Sequence, residues 1–382
     1  MPLHQRLIHR SRRLARSASH STANLRDRLL RSDELVQAER TPFEVIHREG
    51  IAQLRYYPPL EQDEIELLDQ RVPVQREAHA VPLVLVSPLA VNMLIYDLFE
   101  QRSLVRYLRA RGFELYLVDW GRPDSRHDEF RIATYVAELM PKMLAQVREH
   151  SGSQRLSLHG WSFGGLFSYA YTALSRDPDI VNLALIGAPC DYHNNGMLGV
   201  QYQRLSKQLR WLRDRTGFRP HNTSPRWWRS PGWANSLAFK LTNPVASLQG
   251  YFELLRNLHD REFVSDHATN GAFLDGMVAY PGGVMQDIVQ YLWADNVLAK
   301  GRLPIKRCEA ELRDIDANLL LVAGTEDVIV TTGCTHPILE HARSPDKTLI
   351  EVPGGHMGIL GGSKAPVNIW PQVADWLAAR ST

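Results

Sequence analysis

The sequence predicts an α/β fold with a mostly parallel β-sheet and helices on both faces. Short apolar segments of strand length alternate with segments of helical periodicity, an order typical of parallel sheets. The chain has 382 residues, of which 44% are hydrophobic. That length accommodates one large α/β domain with an insertion.

The elements follow one another in a regular order from Thr41 onwards. "FEVIHREGIAQLRYY" alternates around a Glu-Gly pair and predicts a hairpin at the start of the domain. Apolar strands are predicted in "VPLVLVSPL" (81–89), "FELYLVDW" (113–120), "RLSLHGW" (155–161), "NLALIGAPCDY" (182–192) and "NLLLVAGTEDVIV" (318–330). Helices are predicted in "SLVRYLRARG" (103–112), "YVAELMPKMLAQVREH" (135–150) and "LFSYAYTALSRDP" (166–178).

The alternation stops near His193 and returns at Asn318, and the residues between are helical, aromatic and interrupted by proline. We interpret residues 193–305, here called the helical insertion, as a lid domain, with residues 41–192 and 306–382 forming the core. Five of the nine tryptophans fall in the insertion: Trp211, Trp227, Trp228, Trp233 and Trp293. Two interpretations stay open for them, an internal core of the insertion or a cover over an acyl-binding cleft.

Residues 1–40 form a basic N-terminal arm. They contain nine arginines, no lysine and four acidic residues. Three interpretations stay open: a solvated helical arm, a basic amphipathic segment on an anionic or lipid surface, and a transit peptide.

Composition excludes several classes of function. A formal net charge of +2 does not favour nucleic acid as a partner. The three cysteines match no metal or disulfide spacing, and no apolar segment approaches the ~20 residues of a membrane span. We therefore expect a cytoplasmic protein without a metal or cofactor. The oligomeric state, a homodimer included, stays open.

Ser162 stands in "LHGWSFGGL", between a predicted strand and a predicted helix. This context is typical of a nucleophile elbow, in which a strained turn lifts the serine hydroxyl into the cleft above the strand ends. Gly160 and Gly164 each stand two residues from the serine, where side chains would collide with one another across the tight turn. Gly165 lets the helix pack close to the sheet.

A serine nucleophile needs a base, and the base needs an acid that orients it. The chain order expected for this elbow is serine, acid, histidine. Asp327 follows the strand in "NLLLVAGTEDVIV", with Glu326 as its competitor, and His356 follows the next strand in "TLIEVPGGHMGIL".

The oxyanion hole needs two backbone N–H donors. Phe163, at the start of the helix after the elbow, is predicted to supply one. The second is expected from the loop after "VPLVLVSPL", with Ala90 preferred over Leu89. No Gly-rich phosphate loop or dinucleotide fingerprint follows the first strand.

Several long motifs make the chain from Thr41 onwards resemble the catalytic region of polyhydroxyalkanoate synthases. They are "TPFEVIHREG", "SPLAVNMLIYDLFEQRSLVRYLRARGFELYLVDWGRPD", "GWSFGG", "LDGMVAYPGGVMQDIVQYLWADNVLAKG", "GTEDVIV" and "GGHMGI". The resemblance implies an α/β-hydrolase fold under a mobile lid, acting on 3-hydroxyacyl thioesters of coenzyme A. It places the nucleophile on Ser162, the acid on Asp327 and the general base on His356.

One departure from this family concerns the nucleophile, which is cysteine in the synthases and serine here. A serine acyl-enzyme is an ordinary ester, so its transfer to another alcohol gains little, whereas its hydrolysis stays favourable. We therefore expect a serine hydrolase acting on acyl esters or thioesters, 3-hydroxyacyl ones included. The alternatives are a synthase-type acyltransferase using 3-hydroxyacyl-CoA, and a non-catalytic protein that docks on lipid inclusions.

Overall fold

A computed structural model describes residues 19–241 and 244–381, the side chains of residues 244–247 excepted. Within this part of the chain, the strands are β1 (Glu44–Glu49), β2 (Ala52–Tyr57), β3 (Glu64–Leu67), β4 (Gln70–Pro73), β5 (Leu83–Val86), β6 (Asp97–Phe99), β7 (Arg102–Ser103), β8 (Leu115–Asp119), β9 (Leu156–Trp161), β10 (Ile180–Ile186), β11 (Asn318–Gly324) and β12 (Lys347–Val352).

Eight of these strands form one sheet in the order β1-β2-β8-β5-β9-β10-β11-β12. The six strands from β8 to β12 in this order pair in parallel, and the β1–β2 hairpin adds two antiparallel strands at one edge. The predicted N-terminal hairpin and the mostly parallel sheet are therefore confirmed.

Residues 19–30 of the N-terminal arm are helical. The helices that follow them among the described residues are α1 (Leu104–Ala110), α2 (Met140–Ser151), α3 (Phe163–Ser175), α4 (Gly196–Thr216), α5 (Gly232–Leu241), α6 (Pro244–Arg256), α7 (Arg261–Asp275), α8 (Gly282–Asp287), α9 (Thr332–Thr335), α10 (Pro337–His341), α11 (Gly358–Gly361), α12 (Ala365–Asn368) and α13 (Trp370–Ala378). Two π-helical segments, Thr134–Leu139 and Ile288–Ala294, continue into α2 and follow α8. None of these helices is long and apolar enough to cross a membrane.

The sheet is buried on both faces. Val84 and Val86 of β5 belong to one hydrophobic cluster, whereas Leu83 and Leu85 belong to the other. Because successive side chains of a strand point to opposite faces, a continuous apolar strand requires cover on both sides. The helices supply this cover, as the fold class requires.

Helices α4 to α8 lie between β10 and β11, within the predicted helical insertion. A segment of the N-terminal arm packs against this unit. The amide nitrogen of Asn24 donates to the carbonyl of Leu258 at 2.8 Å, and Arg261 pairs with Asp27 at 2.6 Å.

Leu35 is buried in a small cluster with Leu254, Val264 and Ala268. The side chain of Leu35 is therefore buried against α6 and α7, whereas Leu25, Leu29 and Leu30 of the same arm are exposed. Residues 1–18 of the predicted arm lie outside the described residues.

Candidate active site

Ser162 occupies the turn between β9 and α3. Its backbone has φ 55° and ψ −123°, a conformation that costs free energy for a residue with a side chain. The N–H of Ser162 donates to the carbonyl of Ile186 at 2.9 Å, which holds the turn against the end of β10. The strained serine thus stands at the carboxyl end of the parallel strands.

The neighbouring glycines are required by the closeness of the backbone. A Cβ atom on Gly164 would lie 1.9 Å from the carbonyl oxygen of Val86, and one on Gly160 would lie 2.4 Å from the carbonyl oxygen of Gly164. A Cβ atom on Gly165 would lie 2.6 Å from that of Ala188. The turn therefore accepts no side chain at these three positions without backbone movement.

His356 lies beside the serine, on the loop that follows β12. Its Nε2 is 2.9 Å from Oγ of Ser162, and its Nδ1 is 2.7 Å from Oδ2 of Asp327. An ionised carboxylate only accepts hydrogen bonds, so Nδ1 carries the proton and Nε2 accepts from the serine hydroxyl. The structure therefore brings the three residues into one hydrogen-bonded chain.

Trp161 also holds the histidine, and the sequence did not single it out. Its indole N–H donates to the carbonyl of His356 at 3.0 Å, and the two rings lie 5.3 Å apart. The only signal in the sequence was its position directly before Ser162. Burial of this tryptophan at the end of β9 fixes the backbone of the histidine loop.

The carboxylate of Asp327 is buried and held from its other side. Its Oδ1 accepts the backbone N–H groups of Ile329 and Val330, both at 2.8 Å, while Oδ2 faces the histidine. Glu326 is exposed. Of the two carboxylates considered from the sequence, Asp327 is the one that contacts His356.

The side chain of Asn195 binds the loop that carries Asp327, here called the acid loop. This contact was not predicted. Its side-chain amide donates to the carbonyl of Ile329 at 2.7 Å and accepts the N–H of Thr331 at 2.9 Å. Asn195 is buried and directly precedes α4. The start of the helical insertion is thereby joined to the loop that carries the carboxylate.

The two predicted oxyanion donors belong to different parts of the fold, the start of α3 and the loop after β5. Phe163 is the first residue of α3, where backbone N–H groups have no partner within the helix. Ala90 follows β5 and has φ 64°, a left-handed conformation, whereas the competing Leu89 does not. The conformation of Ala90 distinguishes it within its loop, and its role stays a prediction.

The segment 277–280, here called the strap, connects the helical insertion to this loop. The N–H of Val278 donates to the carbonyl of Ala90 at 3.0 Å. The ring of Tyr280 lies 6.2 Å from that of Phe163, and Tyr280 pairs with Ser230 in an isolated β-bridge. The insertion therefore contacts the site next to both predicted oxyanion donors.

Buried cysteines do not compete with the serine as nucleophiles. Burial raises the pKa of Cys334 to about 12 and that of Cys190 well above its usual value. A thiol with such a pKa is almost fully protonated near neutral pH, and the thiolate is the reactive form. Among the described residues, no group of three or more acidic, histidine or cysteine side chains could hold a metal ion.

Comparison with known proteins identifies the family to which the fold belongs. A family model for the alpha/beta hydrolase fold matches residues 92–363. The chain is 27% identical over 94% of its length to the poly(3-hydroxyalkanoate) polymerase subunit PhaC of Haloarcula marismortui and covers 72% of that protein. It is 26% identical over 80% of its length to the corresponding subunit of Allochromatium vinosum, of which it covers 82%.

A solved structure shares the fold. It is a soluble variant of monoglyceride lipase from Saccharomyces cerevisiae in complex with a substrate analogue, with a TM-score of 0.54 and 15% identity. The match covers 91% of this chain and 97% of the lipase. The chain resembles polyhydroxyalkanoate synthases. It belongs to the alpha/beta hydrolase fold family and is an enzyme of that type.

Proposed function

We propose that the protein is a serine hydrolase that cleaves acyl esters or thioesters through an acyl-enzyme on Ser162. The observation that carries this proposal is the hydrogen-bonded chain from Ser162 through His356 to Asp327, at 2.9 and 2.7 Å. A nucleophile, a base within hydrogen-bond reach and an acid that orients the base are the parts that acyl transfer needs.

Acylation begins with attack of the Ser162 hydroxyl oxygen on the acyl carbonyl carbon. The hydroxyl proton moves to Nε2 of His356, and the buried carboxylate of Asp327 stabilises the imidazolium. Negative charge on the carbonyl oxygen is stabilised by the N–H groups of Phe163 and Ala90. The bond to the leaving thiolate or alkoxide then breaks, and that group takes the proton from His356.

Deacylation repeats these steps with water. The oxygen of the water molecule attacks the acyl carbon while His356 takes a proton from that water. The ester bond to Ser162 then breaks. The serine oxygen regains a proton from His356, and a free acid leaves. We also infer that the helical insertion acts as a lid, because its strap contacts both Ala90 and Phe163, the two predicted oxyanion donors.

The chemistry of serine favours hydrolysis over polymer growth. Transfer from a serine ester to a hydroxyl group of another acyl chain exchanges one ester for another, with a free energy near zero. Transfer to water is favourable. A cysteine thioester, as in the synthases that this chain resembles, would stay activated for transfer to an alcohol.

A synthase-type acyltransferase is the second candidate function. It is favoured by the relatives, which are poly(3-hydroxyalkanoate) polymerase subunits and align with most of this chain. On this alternative the acyl donor is a 3-hydroxyacyl-CoA thioester and the acceptor is the hydroxyl group of a growing chain.

Product analysis distinguishes the two functions. The purified protein would be supplied with 3-hydroxybutyryl-CoA and, separately, with p-nitrophenyl esters, while free thiol, free acid and oligomer are measured. We expect thiol and free acid in equal amounts, and no product from the Ser162→Ala variant. The Ser162→Cys variant should shift the product ratio towards oligomer. Oligomer formed readily by the unmodified protein would overturn the hydrolase proposal in favour of the acyltransferase.

A further inference from the structure

The first part of the helical insertion carries a strong local excess of positive charge. Residues 196–256 contain ten lysines and arginines and only two acidic residues, Asp214 and Glu253. The remainder of the insertion, residues 257–305, contains three lysines and arginines and six acidic residues, so the whole insertion has an excess of five positive charges. Such segregation of charge is a property of this unit and gives it an attraction for anionic surfaces.

The same unit exposes large apolar side chains. On α5 they are Trp233, Leu237 and Leu241, and on α6 they are Leu248, Phe252 and Leu255. Trp233 is 71% exposed and Phe252 is 64% exposed. We call these six residues the apolar face.

The spacing of these residues shows that they form stripes. Positions 233, 237 and 241, like positions 248, 252 and 255, recur every three or four residues and therefore lie along one side of each helix. A soluble helix ordinarily turns such a stripe towards the core, and exposed apolar patches of this kind mark interaction sites.

Helix α4 combines both properties on one side. Val200, Arg204, Lys207, Trp211 and Arg215 are all exposed and recur at helical spacing. The guanidinium of Arg215 lies 4.5 Å from the centre of the Trp211 ring. Basic side chains interleaved with tryptophan and aliphatic residues are typical of helices that lie in a lipid–water interface.

The apolar face begins close to the candidate active site. Ser230, two residues before α5, pairs with Tyr280 of the strap, and the ring of Tyr280 lies 6.2 Å from that of Phe163. The strap also packs closely against the backbone of Gly232, since a Cβ atom there would lie 2.2 Å from the carbonyl oxygen of Met277. A surface that binds the apolar face would therefore lie next to the strap, which contacts Ala90 and Phe163.

We propose that the apolar face of α5 and α6, within this cationic insertion, docks on an anionic phospholipid surface. Apolar side chains enter the region of the acyl chains, while lysine and arginine side chains meet the phosphate groups. This binding does not depend on the triad, so it stands or falls separately from the proposed hydrolysis.

A second copy of this chain is a less favourable occupant. Two insertions that meet face to face would bring together two segments, each with eight excess positive charges. Like charges in apposition oppose association. An anionic lipid surface offers acyl chains to the apolar stripes and phosphate groups to the basic side chains.

Vesicle co-sedimentation tests the proposal with the full chain. The protein would be mixed with vesicles of phosphatidylcholine alone or of phosphatidylcholine with phosphatidylglycerol. We expect binding to the anionic vesicles that weakens with salt and is at least about tenfold weaker for the neutral vesicles.

Two variants locate the binding surface. Combined Trp233→Ser, Leu237→Ser and Phe252→Ser substitutions should weaken vesicle binding at least about tenfold, as should Arg204→Glu with Lys207→Glu. Matched controls on exposed positions elsewhere are Leu349→Ser with Val367→Ser, and Arg71→Glu. The controls should bind as the parent does. All variants should keep the parental circular dichroism, and the variant with Arg204→Glu and Lys207→Glu should hydrolyse a soluble ester at the parental rate.

Three results would overturn the proposal. The first is parental vesicle binding by the triple serine variant. The second is loss of binding only in a variant with Arg12→Glu and Arg13→Glu, which would place the lipid contact in the N-terminal arm. The third is a dimeric parent that binds no vesicles and becomes monomeric when the apolar face is substituted, which would make this face a contact between two copies.

Discussion

Replacing Asn195 with alanine tests whether the start of the helical insertion positions the catalytic acid. The substitution removes hydrogen bonds to both sides of the acid loop, at 2.7 Å to Ile329 and 2.9 Å to Thr331. At about 1 kcal/mol for each bond, we expect a loss of about 2 kcal/mol in the free energy of unfolding. The freed loop no longer holds Asp327 against His356. A shift of about 1 Å in such a group typically lowers the rate about 10²-fold.

Asn182→Ala is the matched control for this experiment. Asn182 is also buried, and its amide bonds the side chains of Ser157 and Asn318 in the sheet, away from the triad. Ester hydrolysis would be measured for both variants, together with urea unfolding, at a temperature where both are folded. Only Asn195→Ala should lose kcat, with KM nearly unchanged. Equal kcat values for the two variants would refute the positioning role and leave Asn195 a stabilising residue only.

Three further predictions concern the acid, the elbow and pH. Asp327→Asn should lower kcat about 10⁴-fold with little change in KM, because His356 loses the acceptor that fixes its tautomer; a larger loss from Glu326→Gln would identify Glu326 as the acid instead. Gly164→Ala should abolish ester hydrolysis and lower the melting temperature, since its Cβ would lie 1.9 Å from a backbone oxygen; parental values for both would contradict the close packing. Burial lowers the pKa of His159 from 6.5 to about 4. Between these pH values the unfolded chain therefore binds a proton at His159 that the folded chain does not. The free energy of unfolding should therefore fall by about 3 kcal/mol as pH drops from about 6.5 to 4, and His159→Leu should flatten this slope in urea titrations; an unchanged slope would exclude His159 as its source.

Local patterns were sufficient to predict the elements that build the sheet. Burial on both faces makes each parallel strand a short apolar segment, and such segments are visible in the sequence. The candidate triad was predictable for a related reason. Ser162, Asp327 and His356 each follow their own strand, and the carboxyl ends of parallel strands meet at one edge of the sheet.

Contacts that depend on how distant segments fold together could not be predicted in the same way. Asn195 is one asparagine among several near a helix start, and its two bonds to the acid loop join residues more than 130 positions apart. The packing of Leu35 against α6 and α7 is likewise a long-range contact, made by a segment whose composition is mainly basic. Neither contact corresponds to a periodic pattern in the sequence.

Labelling with a fluorophosphonate probe, located by peptide mass spectrometry, tests most directly whether Ser162 is a nucleophile activated by His356. We expect one adduct per chain, on Ser162, with labelling slowed by several orders of magnitude in a His356→Ala variant and absent from Ser162→Ala. His336→Ala should label as the parent does, because that histidine pairs with Glu340 outside the candidate site. An adduct on another residue, or equal labelling of the parent and the His356→Ala variant, would contradict the assignment of the nucleophile and its base.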